Sequence, residues 1–181
     1  MEIIQEPLSG LFVIKPRVFA DHRGHFFESF RHDFVEKLNL HAEFVQDNQS
    51  LSNSRIVRGL HFQAPPYAQD KLVRVVTGAV LDVVVDIRKS SPTYGRHFSI
   101  ELTADNFLMV LIPKGFAHGF VTLQDQTIFQ YKCTEYYHPE AEGGILWKSP
   151  SLNINWQVEN PVLSAKDELH PEFSGFNSPF D

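Results

Sequence analysis

Apolar and polar residues alternate along much of this chain with a period of two, the side-chain period of a β-strand. In LVRVVTGAVLDVVVDIR, Leu81, Val83, Val85 and Ile87 fall on one face, and Asp82, Asp86 and Arg88 on the other. That pattern predicts a half-buried strand. Gly78 interrupts the run and predicts a turn or bulge between two strands. LFVIKP, GHFFESF, HFSIEL, FLMVLIP, FVTLQ and TIFQYKC carry further strand signals, separated by the turn clusters SSPTYG, TADN, PKG and YYHPEAEGG. Many short strands at such spacing predict an antiparallel sandwich or barrel. Helical spacing is scarce. Phe34 and Leu38 predict two helical turns over His32 to Leu40, and LSAKDELH predicts one more short helix. The aromatic, turn-rich PEFSGFNSPF reads as a tail draped over the barrel. No internal repeat, linker or low-complexity segment divides the 181 residues, so one domain is expected.

Composition narrows the function. With 43% hydrophobic and 21% charged residues, and 16 Phe to bury, the chain is globular rather than disordered. A net charge of −6 gives no general attraction to nucleic acid or anionic lipid. A polyanionic ligand therefore needs a local group of Arg and Lys. Cys133 is the only cysteine, which excludes an intramolecular disulfide and a thiolate metal cluster. MEIIQEPLSG has acids where a secretion leader would have bases, so a cytoplasmic location is expected. The most apolar stretch, AVLDVVVDI, is cut by Asp82 and Asp86 and predicts no membrane span.

Two histidines stand in strand-like runs beside glycine and aromatic residues: His61 in RGLHFQ and His118 in GFAHGF. Metal-binding cupin barrels use an H-x-H pair on one strand face, an acid shortly after and a later histidine. Here Gln63 stands two positions after His61 and no H-x-H occurs, so a metal centre is not expected. His61 is then either a core histidine bonded to a carbonyl or a catalytic base. A base needs a partner, usually a carboxylate, that fixes its tautomer. Asp167 is a candidate, but Ser164-x-x-Asp167 also matches a capping box, and spacing alone does not choose.

Tyr131 shares a face with Phe129 and Cys133 and points to the apolar side, where a core tyrosine with its hydroxyl at the rim is the plain reading. Tyr136 and Tyr137, at the same strand's end, either stack on a base or sugar or pack a loop. Arg23, Glu28 and Arg31 make a solvated charge run or, with Arg58, Lys71 and Lys166, an anion site. No Walker loop or dinucleotide fingerprint is present, so phosphate would be held by side chains.

RVFADHRGHFFESF, VQDNQS, RGLHFQ, KLVRVVTGAVLDVVVDIR, SPTYG, PKGFAHGF, YKCTEYY and LSAKDE occur in this order. Together they resemble the dTDP-4-dehydrorhamnose 3,5-epimerase (RmlC) family over nearly the whole chain. The resemblance implies a single cupin-type antiparallel jelly-roll β-barrel with a few short peripheral helices, acting as a homodimer without metal or organic cofactor. It implies a dTDP-4-keto-6-deoxy sugar nucleotide as substrate and epimerisation at carbons 3 and 5. The family's base falls on His61, its partner on Asp167, its acid on Tyr131, and its stabilising lysine on Lys71. Ligand contacts fall on Arg23, Glu28, Gln46, Asn48, Arg58, His118, Tyr137, Glu142 and Lys166, with Tyr137 stacking on thymine and Phe19 on its other face. Relatives on the same scaffold epimerise one carbon or isomerise the ketosugar; Tyr131 favours the double reaction. A non-catalytic sugar-binding cupin and a metal-dependent cupin oxygenase are the rival classes.

Overall fold

The alternating segments form two antiparallel sheets in the computed structural model, which describes residues 1–38 and 43–181. One sheet orders its six strands β1 (Glu2–Leu8), β2 (Leu11–Lys15), β10 (Met109–Ile112), β7 (Lys71–Thr77), β12 (Thr127–Cys133) and β5 (Gln46–Ser52). The other orders its five strands β13 (Glu142–Gly144), β6 (Val57–Gln63), β11 (Phe116–Thr122), β8 (Ala79–Asp86) and β9 (His97–Thr103). A separate ribbon pairs β3 (Val18–Asp21) with β4 (Gly24–Phe27).

Period two sends alternate side chains to opposite faces, and each face finds its own apolar layer. Between the sheets lie Val73, Val75, Val110, Ile112 and Phe129 from one side and Val80, Val84, Leu102, Phe116 and Phe120 from the other. Outside the five-stranded sheet, Leu81, Val83, Val85, Ala117 and Val121 are covered by Ile145, Leu152, Trp156 and Phe180 of the C-terminal segment. Outside the six-stranded sheet, Ile14, Leu72, Met109 and Leu111 are covered by Val35 with Phe30, Phe34 and Leu38. The expected tail is therefore a cover. Phe180 bridges to Arg88, and the Ser178 hydroxyl donates to the carbonyl of Ile87.

Three expectations are corrected. The strand β8 is buried on both faces rather than half-buried, because the tail covers one face and the barrel interior takes the other. Its aspartates point inside: Asp86 accepts from Arg88, Ser91 and Thr93, and Asp82 Oδ1 meets His118 while its Oδ2 has no hydrogen-bond partner among the described residues. The first helix is α1 (His32–Glu36), and the end of the expected range, residues 39–40, lies outside the described residues. LSAKDELH forms successive turns instead of a helix, with Asp167 N–H donating to Ser164 O and Leu169 N–H to Lys166 O. Pro171 follows directly and pushes His170 away from helical geometry.

Candidate active site

The site begins with an irregularity in β6. His61 stands opposite His118 of β11, but Arg58 stands opposite Phe120, so Gly59 and Leu60 face the single residue Gly119. Such a bulge re-aims side chains. Arg58 and His61, three apart, would otherwise point to opposite faces; here both line the same cavity. The glycines permit it. A Cβ on Gly59, whose φ is +134°, would lie 2.5 Å from Gly119 Cα, and one on Gly119 would lie 2.7 Å from Arg58 O.

His61 Nε2 lies 2.5 Å from Oδ1 of Asp167, which is only 3% exposed. Both readings of Asp167 hold at once. Its backbone N–H donates to Ser164 Oγ at 3.2 Å, as a cap would, while its carboxylate takes the imidazole. Burial alone would raise the Asp167 pKa, but the hydrogen bond and charge of His61, the Ser164 contact and the charge of His170 hold it below the usual carboxylate value.

From the facing sheet come Lys71 of β7 and Tyr131 of β12, with Lys71 Nζ 6.0 Å from the Tyr131 ring centroid. Burial pushes the Lys71 ammonium down from the ordinary lysine value, opposed by Cys133, Glu142 and Asp82. Burial likewise pushes the Tyr131 phenol up, so it keeps its proton at neutral pH. His118 Nε2 lies 2.7 Å from Oδ1 of Asp82, both buried.

Arg58, His61, Lys71, His118, Tyr131, Lys166 and Asp167 line one cavity of ≈ 450 Å³. Gln46, Asn48, Tyr137 and Glu142 line a second, of ≈ 340 Å³, which shares His61, Lys71 and Tyr131 with the first. At its rim the Tyr137 hydroxyl donates to Glu142 Oε2 at 2.5 Å, and Lys166 Nζ reaches the same oxygen at 2.6 Å. Gln46 Oε1 accepts from the Tyr137 N–H at 3.0 Å, and Gln46 Nε2 donates to Asn48 Oδ1 at 3.0 Å.

Three expected residues do not join these cavities. Phe19 and Arg23 line a separate hollow on the exposed ribbon, where Arg23 pairs with Asp21 at 2.6 Å. Glu28 pairs with Arg31 at 3.6 Å. Gln63, at the cupin ligand position, is a cross-link: its amide donates to the carbonyls of Tyr67 and Tyr136 and accepts from the His138 N–H. Sequence reasoning missed His170, whose Nε2 lies 3.9 Å from Asp167 Oδ1. No spacing signal marks it; only the fold brings it beside His61.

Comparison with known proteins decides the family. The family model described as dTDP-4-dehydrorhamnose 3,5-epimerase matches residues 5–175. The chain belongs to this family. The dTDP-4-dehydrorhamnose 3,5-epimerase of Escherichia coli strain K12 is 49% identical over 170 residues, 93% of this chain and 92% of that one. The crystal structure of RmlC from Legionella pneumophila, in complex with dTDP-4-keto-L-rhamnose, matches with a TM-score of 0.93 at 43% identity, over 97% of this chain and 94% of that one. ChmJ from Streptomyces bikiniensis, a 3′-monoepimerase in complex with dTDP-quinovose, matches with a TM-score of 0.88 at 31% identity, over 93% and 86%. The family's members are epimerases, isomerase-class enzymes, and the two-sheet barrel is the RmlC-type cupin jelly roll expected from the motifs.

Proposed function

We propose that the chain inverts carbons 3 and 5 of dTDP-4-dehydro-6-deoxy-α-D-glucose to give dTDP-4-dehydro-β-L-rhamnose, with no metal or organic cofactor. One observation carries this reading: His61 and Tyr131 enter the same cavity from opposite sheets. Inversion at a carbon beside a ketone needs a base on one side of the sugar and an acid on the other. The 4-ketone acidifies the hydrogens on both neighbouring carbons, so one pair of groups serves two centres.

In this reading His61 donates Nε2–H to Asp167 and keeps the Nδ1 lone pair for the sugar. Taking a proton makes an imidazolium beside a carboxylate, which Asp167 stabilises as a triad carboxylate does. The enolate oxygen is met by the Lys71 ammonium, with His118 close by. One well-placed donor of this kind is worth roughly 3 kcal/mol, about a hundredfold in rate. Tyr131 then delivers a proton to the opposite face.

The nucleotide is assigned to the second cavity, with Tyr137 stacking on the base and Gln46, Asn48 and Glu142 holding polar groups, while Arg58 and Lys166 reach it from the first. Phe19, Arg23 and Glu28 serve best in a homodimer. The ribbon seats His25 and Phe27 on Phe107 but exposes Phe19 and Phe26, an apolar pair that a second copy would cover. Among the described residues no helix is long and apolar enough to cross a membrane, and we infer a cytoplasmic enzyme acting as a single domain over 1–181.

Epimerisation at one carbon is the second reading, supported by the likeness to ChmJ. Incubation with the 4-ketosugar nucleotide in deuterated water separates the two. Deuterium at both carbons, with inversion at both in the recovered product, supports the double reaction. Label and inversion at one carbon only would replace it.

A further inference from the structure

His170 is the one imidazole beside the His61–Asp167 pair that has no work in the reaction above. Its Nε2 is buried and has no hydrogen-bond partner among the described residues. Its ring meets the His61 ring edge-on at 5.7 Å between centroids. It is also held in place: a Cβ on Gly144 would lie 2.4 Å from His170 Nε2, so the imidazole rests directly on the β13 backbone. Gly144 in turn stands opposite His61 in the β6–β13 ladder. One donor atom from each of His61, Asp167 and His170 falls within 4.8 Å of the others.

We propose that these three side chains form a Zn²⁺ site whose occupation switches off the base. Two imidazoles, one carboxylate and a water are a zinc donor set, whereas Mg²⁺ and Ca²⁺ prefer oxygen. Tetrahedral zinc with bonds of about 2.0–2.2 Å sets its ligand atoms about 3.4 Å apart. The His61–Asp167 edge of 2.5 Å must open and the His170–Asp167 edge of 3.9 Å must close, each by less than the reach of a side-chain rotation. Nearby cations oppose the ion. Lys166 is already paired with Glu142, which leaves Arg58 and Lys71 as the main repulsion in the cavity.

The block follows from imidazole chemistry and rests on the reading of His61 as the base. Zinc takes the Nε2 lone pair, so the neutral ring carries its proton on Nδ1. The nitrogen that faces the sugar becomes a donor and accepts nothing. Asp167 is drawn to the metal at the same moment.

The test uses the full-length protein stripped with EDTA. Zinc binding is measured by equilibrium dialysis without substrate, and turnover is followed separately during a zinc titration. One Zn²⁺ per chain is expected. Both H170F, whose ring fills the same space over Gly144, and D167N should weaken binding by ~tenfold or more, the scale of loss at perturbed metal sites. H138A is the control, because His138 and Glu140 form an exposed pair at 3.0 Å. H170Q replaces H170F should the latter fail to fold by circular dichroism. Zinc should stop wild-type turnover, EDTA should restore it, H170F turnover should not fall in the same zinc range, and Mg²⁺ should do nothing. Binding unmoved by H170F and D167N overturns the site. Binding that needs His170 and Asp167 yet leaves turnover intact overturns the block, whereas the role of His61 as the base is tested apart from it by the turnover of H61N without zinc.

Discussion

Asp167 and His61 meet at 2.5 Å although 106 residues separate them in the chain. The contact joins a turn of the C-terminal segment to a bulged strand of the barrel, and it fixes which imidazole nitrogen faces the cavity. D167N keeps the shape but cannot stabilise an imidazolium. Turnover should fall steeply, by ~10²-fold or more on the scale of general-base catalysis, with fold retained. Wild-type turnover in D167N would leave Asp167 with only its capping bond to Ser164.

The same residue gives a pH-dependent stability with a definite sign. The folded state holds Asp167 below its unfolded value of about 3.9, so its contribution is complete above that value. It is lost as pH falls through the lower, folded value. The melting-temperature gap between wild type and D167N should be widest near neutral pH and close below about pH 4. A gap that widens on acidification would contradict the depressed pKa.

H61N removes the proposed base while the proposed nucleotide contacts at Tyr137, Lys166 and Glu142 stay. Turnover should nearly vanish, and dTDP affinity measured by calorimetry should change little. Retained turnover would remove His61 from the mechanism.

Y131F deletes only a hydroxyl and keeps the packing against Phe129. The variant should lose most epimerisation yet still exchange deuterium at carbon 3 or 5 with retained configuration, because His61 can return a proton to the face it left. Mass spectrometry reads the label, and coupled reduction to dTDP-rhamnose reads the stereochemistry. Unimpaired rhamnose formation would mean another acid.

Y137A should weaken dTDP binding by about 1–3 kcal/mol, the value of one base–aromatic stack, with a smaller effect on the chemical step. Unchanged affinity would return Tyr137 to loop packing against Glu142.

G119A tests the bulge. Its Cβ would meet Arg58 O at 2.7 Å and Gly59 Cα at 3.0 Å. Overpacking of this kind costs about 1–3 kcal/mol, or roughly 2–12 °C in Tm at this chain length. Turnover should fall as well, since the bulge turns Arg58 and His61 to one side; a normal melt with normal turnover would show that the backbones tolerate separation.

β12 was legible because burial mainly on one side writes a period of two, whereas β2 and β10, buried on both faces, were legible as short apolar runs. β5, QDNQSLS, has neither pattern: only Ser52 is buried, and the strand is held by its ladder with β12. β8 misled for the opposite reason, since its aspartates face inward, Asp86 to Arg88, Ser91 and Thr93 and Asp82 to His118. Of the residues that motif order marked, Arg58, Lys71, His118 and Tyr131 line one cavity with His61. His170 was invisible because its meaning lies in the backbone of Gly144. Phe19, Arg23 and Glu28 were legible as residues but not as a location, for Phe19 and Arg23 line a hollow of their own on the ribbon and Glu28 pairs with Arg31.

The C-terminal cover seals an apolar layer and also carries Asp167. A single cut between Ile145 and Asp167 would leave the layer between the sheets intact while releasing the imidazole's partner. Turnover therefore works as a gauge of how firmly the tail is seated, and under protease or mild denaturant it should fade while the barrel's circular dichroism still reads as native.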